Sequence, residues 1–217
     1  MGNIENKGIE LTINATPIQL RDFSWQTTLT YTKNKNKVLK LSEGKSFVED
    51  GKYLIEEGSP LGQWFGQKAL GIYATDEANA YIKNGDGSFG DRLVPVYQRD
   101  PNNYNNYIYG SNGKPVFSHY ETKGGQKYTG DVGQMTTAGS VSKGGDIIWD
   151  DLDHDGVIGD SDRRILGNGM PTWYMGWTNY LNYKSFSLSF SFYGSFGNKI
   201  YNKQRRDLLQ NSSSNMT

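Results

Sequence analysis

Cysteine is absent from the 217 residues, which excludes a disulfide framework and any thiolate metal site and leaves the redox compartment unread. Only two histidines occur, His119 in a polar stretch and His154 in an acidic turn, and neither has neighbours that suggest a serine nucleophile or a zinc triad. No apolar run approaches the roughly 18 residues that a membrane-spanning helix needs, so a helical membrane protein is excluded. A transmembrane barrel is not, because its strands are about 10 residues long and apolar only at alternate positions. Lys plus Arg number 23 and Asp plus Glu number 23; a balanced charge without a sustained basic stretch removes nucleic acid as an expected partner. Met1 is followed by Gly2 and Asn3, not by a charged segment and an apolar run, so no secretory signal is expected here. The polar end NSSSNMT carries no strand pattern, and both ends read as cuts through something larger.

What the chain has in excess is aromatic side chains and glycine, with Tyr 15, Phe 9 and Trp 5 beside Gly 27. Soluble β proteins and outer-membrane barrels share that composition, so patterning has to separate them. Over GIELTINA, Ile9, Leu11, Ile13 and Ala15 alternate with Glu10, Thr12 and Asn14, which predicts a strand near 8–16 that ends before Pro17. A second, near 22–33, sets Phe23, Trp25, Thr27, Leu29 and Tyr31 opposite Ser24, Gln26, Thr28, Thr30 and Thr32. Two more are expected near 171–183 and 185–197; in the latter Phe186, Leu188, Phe190 and Phe192 alternate with Ser187, Ser189 and Ser191. Ten residues at roughly 3.3 Å each, tilted by about 40°, rise close to the roughly 25 Å apolar band of an outer-membrane barrel. Aromatics near strand ends, including Phe23, Trp25, Trp173 and Tyr183, stand where interfacial girdles would place them. Short turns after Ala15 and after Tyr183 would then be periplasmic.

Between these strands the pattern weakens. SFVEDGKYLIEEG reads as a short hairpin, and a strand or strand pair is expected near 59–73, where Gly62, Gly66 and Gly71 interrupt apolar residues. The region 74–170 reads as a long loop, on the extracellular side of a barrel; loops of that length are usually functional or disordered. Tyr104, Tyr107 and Tyr109 in its polar, Asn-rich part are candidate ligand or partner contacts.

The sharpest local signal is DLDHDGVIGDSD at 151–162. Asp151, Asp153 and Asp155 occupy positions 1, 3 and 5 of a twelve-residue calcium loop, Gly156 the sharp turn at 6, Val157 the carbonyl at 7 and Asp162 position 12. Calcium takes six to eight oxygens, which these groups and water would supply, with Ile158 anchoring the loop on an apolar neighbour. Position 12 is Asp where Glu is usual, and the flanks lack the two amphipathic helices of an EF-hand. An acidic turn whose carboxylates accept backbone hydrogen bonds is the other reading. No catalytic constellation is expected. Glu56 with Glu57, and Glu49 with Asp50, are adjacent in sequence and lack the facing geometry of a glycosidase. Arg205 and Arg206 suit a short surface helix.

Five segments together, GNIENKGIEL, FSWQTTLTYTKNKNKV, GSPLGQWFGQKALGIY, GGDIIWDDLDHDGVIGDSDRRILGNGMP and SFSLSFSFYGSFGNKIYN, resemble the SusC/RagA family of TonB-linked outer-membrane receptors, in the family's order. Asp153 departs from the Asn that family members often carry there. The resemblance implies an all-β fold, an antiparallel segment of a transmembrane β-barrel of about 22 strands with long extracellular loops. It also implies an importer of oligosaccharides or peptides in the bacterial outer membrane, driven by the TonB system through parts outside this chain and lidded by a SusD-like lipoprotein. Its outer face would meet outer-membrane lipid. Transport, not enzymatic turnover, is the expected activity. The alternative is a calcium-stabilised soluble β-sandwich that binds carbohydrate; there the apolar faces would meet across a core instead of pointing outward.

Overall fold

The computed structural model describes residues 2–204. Arg205 and Arg206 lie outside the described residues. Among those described, no helix is long and apolar enough to cross a membrane, and the regular structure is strand with two 3-10 turns. The chain divides into two units, Gly66–Arg164 and the residues on either side of it.

Four long strands carry the first unit: β1 (Asn3–Gln19), β2 (Phe23–Lys40), β3 (Trp173–Tyr183) and β4 (Phe186–Phe196). They form one antiparallel sheet in the order β1-β2-β3-β4. Because paired residues share a face, the register sorts every side chain. One transverse row reads Ile13, Leu29, Trp177, Phe192, and another reads Leu11, Tyr31, Met175, Gly194. The adjacent row on the opposite face reads Asn14, Thr28, Thr178, Ser191. Four separately alternating segments thus fall into a single register, giving one apolar and one polar face.

The apolar face is uncovered: Ile9, Ile13, Leu188 and Phe192 are exposed, and Phe186 is 78% accessible. A soluble sandwich would bury these side chains, each worth about 1.5–3 kcal/mol on leaving water. Two polar side chains on this face are accommodated by indoles. Trp25 Nε1 donates to Asn179 Oδ1 at 2.9 Å, and Trp177 Nε1 donates to Thr27 Oγ1 at 2.8 Å. Aromatics close both ends of the face. At one end Trp173 stacks on Phe196 at 3.9 Å and meets Tyr31 at 5.8 Å; at the other, Phe23, Tyr183 and Phe186 share a row. These rows are ten residues apart along β3, about 34 Å of strand and about 26 Å of height at a tilt of about 40°.

Three strand ends differ from the sequence expectation. β1 does not stop at Pro17. It passes through a bulge in which Thr16 and Pro17 face one position of β2, between the pairs Ala15–Thr27 and Ile18–Trp25. A proline lacks the donor a regular ladder position needs, and a bulge is where a sheet tolerates it. The turn therefore falls at 20–22, not after Ala15. At the opposite end β1 and β2 continue past the aromatic row, pairing Glu5 with Lys37 and Lys7 with Lys35. Backbone pairing extends the ribbon there without an apolar face, so alternation gives no sign of it.

A smaller sheet follows the order Arg163–Asn168, Gln63–Gln67, Tyr53–Ile55, Phe47–Glu49. Its last two strands form a hairpin turned at Asp50 and Gly51, whose φ values are 50° and 66°, as an Asp-Gly turn requires. Near 59–73, where a strand or strand pair was expected, two strands form, Gln63–Gln67 and Ala69–Ile72, in different sheets. The change of partner occurs at Lys68, whose carbonyl accepts the Asp150 amide.

Where a long loop was expected over 74–170, residues Gly66–Arg164 make a unit of short strands with its own core of Tyr73, Tyr81, Met135 and Ile148. Polar staples supplement this small core. The fully buried Asn79 donates to the Met135 and Ser142 carbonyls at 2.9 and 2.7 Å and accepts the Met135 amide at 2.9 Å. The Tyr73 and Tyr81 hydroxyls meet at 2.9 Å.

Candidate metal centre

The acidic loop is built around a backbone reversal at Gly156, where φ is +79°. A Cβ there would meet the Phe89 ring at 2.5 Å, so glycine is required both by conformation and by space. His154 also has positive φ, 61°, a region His tolerates better than most residues. Two backbone bonds fasten the reversal to its neighbours: Phe89 donates to the His154 carbonyl at 2.8 Å and Thr136 to the Gly156 carbonyl at 2.9 Å. The strand Val157–Ile158 then pairs in parallel with Thr136–Thr137, and Ile158 is buried.

Asp151, Asp153 and Asp155 each present a carboxylate oxygen, and these lie within 4.8 Å of one another. Asp151 Oδ2 accepts the Gly156 amide at 3.0 Å, and Asp155 Oδ1 accepts the Val157 amide at 2.7 Å. The Val157 amide is thereby tied to the Asp155 carboxylate. Asp162 stands apart: fully buried, it accepts the Leu152 amide on Oδ1 and the Gly159 amide on Oδ2, both at 2.8 Å. Both readings of the motif are represented, with three carboxylates converging and the fourth acting as a backbone strut. A position-12 Asp is short enough to be consumed by its own turn.

Burial holds the Asp151 carboxyl above the ordinary carboxylate range, partly offset by the Gly156 amide and reinforced by the Asp162 charge. The Asp153 carboxyl is held below that range chiefly by a hydrogen bond from Ser161. Nothing in the spacing singled out Ser161, because the calcium-loop template assigns position 11 no ligand.

A half-open cleft of about 490 Å³ borders the loop, lined by Leu70, Tyr81, Arg92, Lys123, Asp151 and His154 among others. The three tyrosines do not form one platform. Tyr104 and Tyr107 belong to the strand Asn103–Tyr107, whose pairing with Arg99–Asp100 is interrupted by a register shift. The Arg99 guanidinium covers the Tyr107 ring at 3.7 Å and donates to its hydroxyl at 2.8 Å. Tyr104 is the most open of the three at 79% accessible, followed by Tyr109. His119 lies in the strand Phe117–Glu121, between the adjacent Ser118 hydroxyl at 3.0 Å on Nδ1 and Glu121 at 3.2 Å on Nε2. Serine on Nδ1 reverses the order of a hydrolytic triad.

No protein-family model matches the sequence. Over 202 residues it is 38% identical to TonB-dependent receptor P39 of Formosa agariphila, an alignment covering 93% of this chain and 17% of that receptor. Over 201 residues it is 25% identical to TonB-dependent receptor SusC of Bacteroides thetaiotaomicron, covering 93% of this chain and 15% of SusC. The chain is a SusC/RagA-like segment of a TonB-dependent receptor. It spans less than a fifth of the length of these curated relatives. Among solved structures, the RagAB peptide transporter superposes with a TM-score of 0.51 at 13% identity, over 90% of this chain and 15% of that one. That likeness concerns the fold. The four long antiparallel strands of this all-β segment have the architecture of a barrel wall, which they leave open.

Proposed function

We propose that the segment supplies wall strands and extracellular structure to an outer-membrane importer of oligosaccharides or peptides, working with a SusD-like surface lipoprotein and energised through TonB by other parts of the receptor. The observation that carries this reading is the single register of β1–β4, which between the two aromatic rows puts Ile9, Leu11, Ile13, Leu29, Leu188 and Phe192 on one uncovered face and Thr12, Asn14, Thr178 and Ser191 on the other. Lipid suits the first face and a water-filled lumen the second. The turns at 20–22 and 184–185 lie at one end of the sheet, and the long connection from β2 to β3 leaves from the other. Short periplasmic turns and long extracellular connections have that asymmetry. On the connection, Tyr104 and Tyr109 are the exposed rings available to stack on a sugar or pack on the lipoprotein.

Transport is favoured over turnover because the Ser–His–Glu contact found among the described residues joins near neighbours in sequence with serine on the wrong ring nitrogen. Deleting the full-length gene is expected to abolish growth on one class of oligosaccharide or peptide, and the purified receptor to leave that compound chemically unchanged. Turnover by the purified receptor would refute the reading.

A further inference from the structure

We propose that Asp151, Asp153 and Asp155 bind a calcium ion that clamps the 151–158 loop onto the strands beside it. The three carboxylates offer oxygens within 4.8 Å of one another. Asp151 is 7% exposed, yet its Oδ1 is buried without a hydrogen-bond partner. A buried carboxylate oxygen with no donor is disfavoured unless a cation or another group satisfies it. The same carboxylate's Oδ2 is already committed to the Gly156 amide, so the free oxygen is the one left for a ligand. Asp153 and Asp155 are exposed, which leaves room for water to complete the shell.

Size and hardness select the ion. Calcium at about 2.3–2.6 Å from each oxygen spans ligand pairs up to about 5 Å apart and tolerates irregular shells. Magnesium demands near-octahedral geometry at about 2.1 Å and gives up its water reluctantly. The site differs from the full twelve-residue template, since Asp162 is held by the Leu152 and Gly159 amides. Occupancy is coupled to the fold through the two carbonyls that flank Asp155, those of His154 and Gly156, which accept the Phe89 and Thr136 amides. An ion that fixes the loop fixes both bonds.

The test uses the full-length receptor in detergent, stripped with EGTA and titrated with calcium chloride by calorimetry, beside the D151N/D153A variant. Asp151→Asn keeps an oxygen for the Gly156 amide and turns the other ligand atom into an NH2 that cannot bind a cation, and Asp153→Ala removes a second ligand. The expected result is one fewer calcium bound per receptor in the variant, with magnesium failing to compete at equal concentration. Equal calcium stoichiometry in the two proteins would overturn the proposal and leave an acidic turn that binds no ion. If the variant does not fold, hydrogen exchange on the wild type decides. At calcium about ten times its dissociation constant, exchange of the Phe89 and Thr136 amides should slow about tenfold relative to EGTA. Unchanged exchange would overturn the proposal as surely.

Discussion

Gly156 is where sequence, conformation and packing meet in one residue. Its φ of +79° and the Phe89 ring 2.5 Å from a hypothetical Cβ both oppose a side chain. Gly156→Ala is therefore expected to destabilise the loop by about 1–3 kcal/mol, read as faster hydrogen exchange at Phe89 and Thr136 in the full-length receptor. Wild-type exchange rates there would contradict the assignment. Tyr73 and Tyr81 make a second test. Burial pushes both phenols above their ordinary value near 10, so the folded state retains protons that the unfolded state releases. The stabilisation is full below about pH 10 and falls as pH rises beyond it, by about 1.4 kcal/mol per pH unit per tyrosine. Local unfolding of Gly66–Arg164 should steepen accordingly above pH 10, and Tyr73→Phe should remove about half of that slope. At this scale the approach of the Asp151, Asp153 and Asp155 carboxylates was legible in their spacing. Asn79 and the tyrosine pair were not, since a buried polar staple is defined by carbonyls and hydroxyls distant in sequence, such as Ser142 for Asn79.

For the strands, alternation was a sufficient guide wherever one face meets an apolar medium. It showed β3 and β4 almost to the residue and the central parts of β1 and β2. It failed where stability comes from backbone pairing alone, as in the Glu5–Lys37 extension, and at Pro17, where a bulge lets the strand continue. It also could not show Gly66–Arg164 as a compact unit, because strands of two to five residues are too short to display a period. The two faces of β4 should respond unequally to charge. Phe192 lies near the middle of the apolar face and Ser191 on the polar one. Phe192→Arg is expected to reduce folding stability in bilayers by about 2–4 kcal/mol, whereas Ser191→Arg should be nearly neutral. Denaturant titration of the reconstituted receptor would measure both, and equal losses would argue against the face assignment.

For the molecule as a whole, four strands with two unpaired outer edges and an uncovered apolar face are incomplete in water. The isolated 217 residues are expected to aggregate unless detergent is present; a monodisperse, cooperatively melting monomer without detergent would favour the sandwich. The central claim, that β1–β4 are barrel wall with the apolar face toward lipid, is tested most directly by spin-label accessibility. The segment has no cysteine of its own, so in a full-length receptor with any cysteine elsewhere replaced by serine, single labels can be placed in lipid bilayers at Ile13→Cys and Phe192→Cys on one face and at Thr12→Cys and Ser191→Cys on the other. The account predicts that the first pair is relaxed by oxygen and shielded from a water-soluble nickel chelate, and the second pair the reverse. Equal accessibility of the two faces to the chelate, or an inverted pattern, would contradict it.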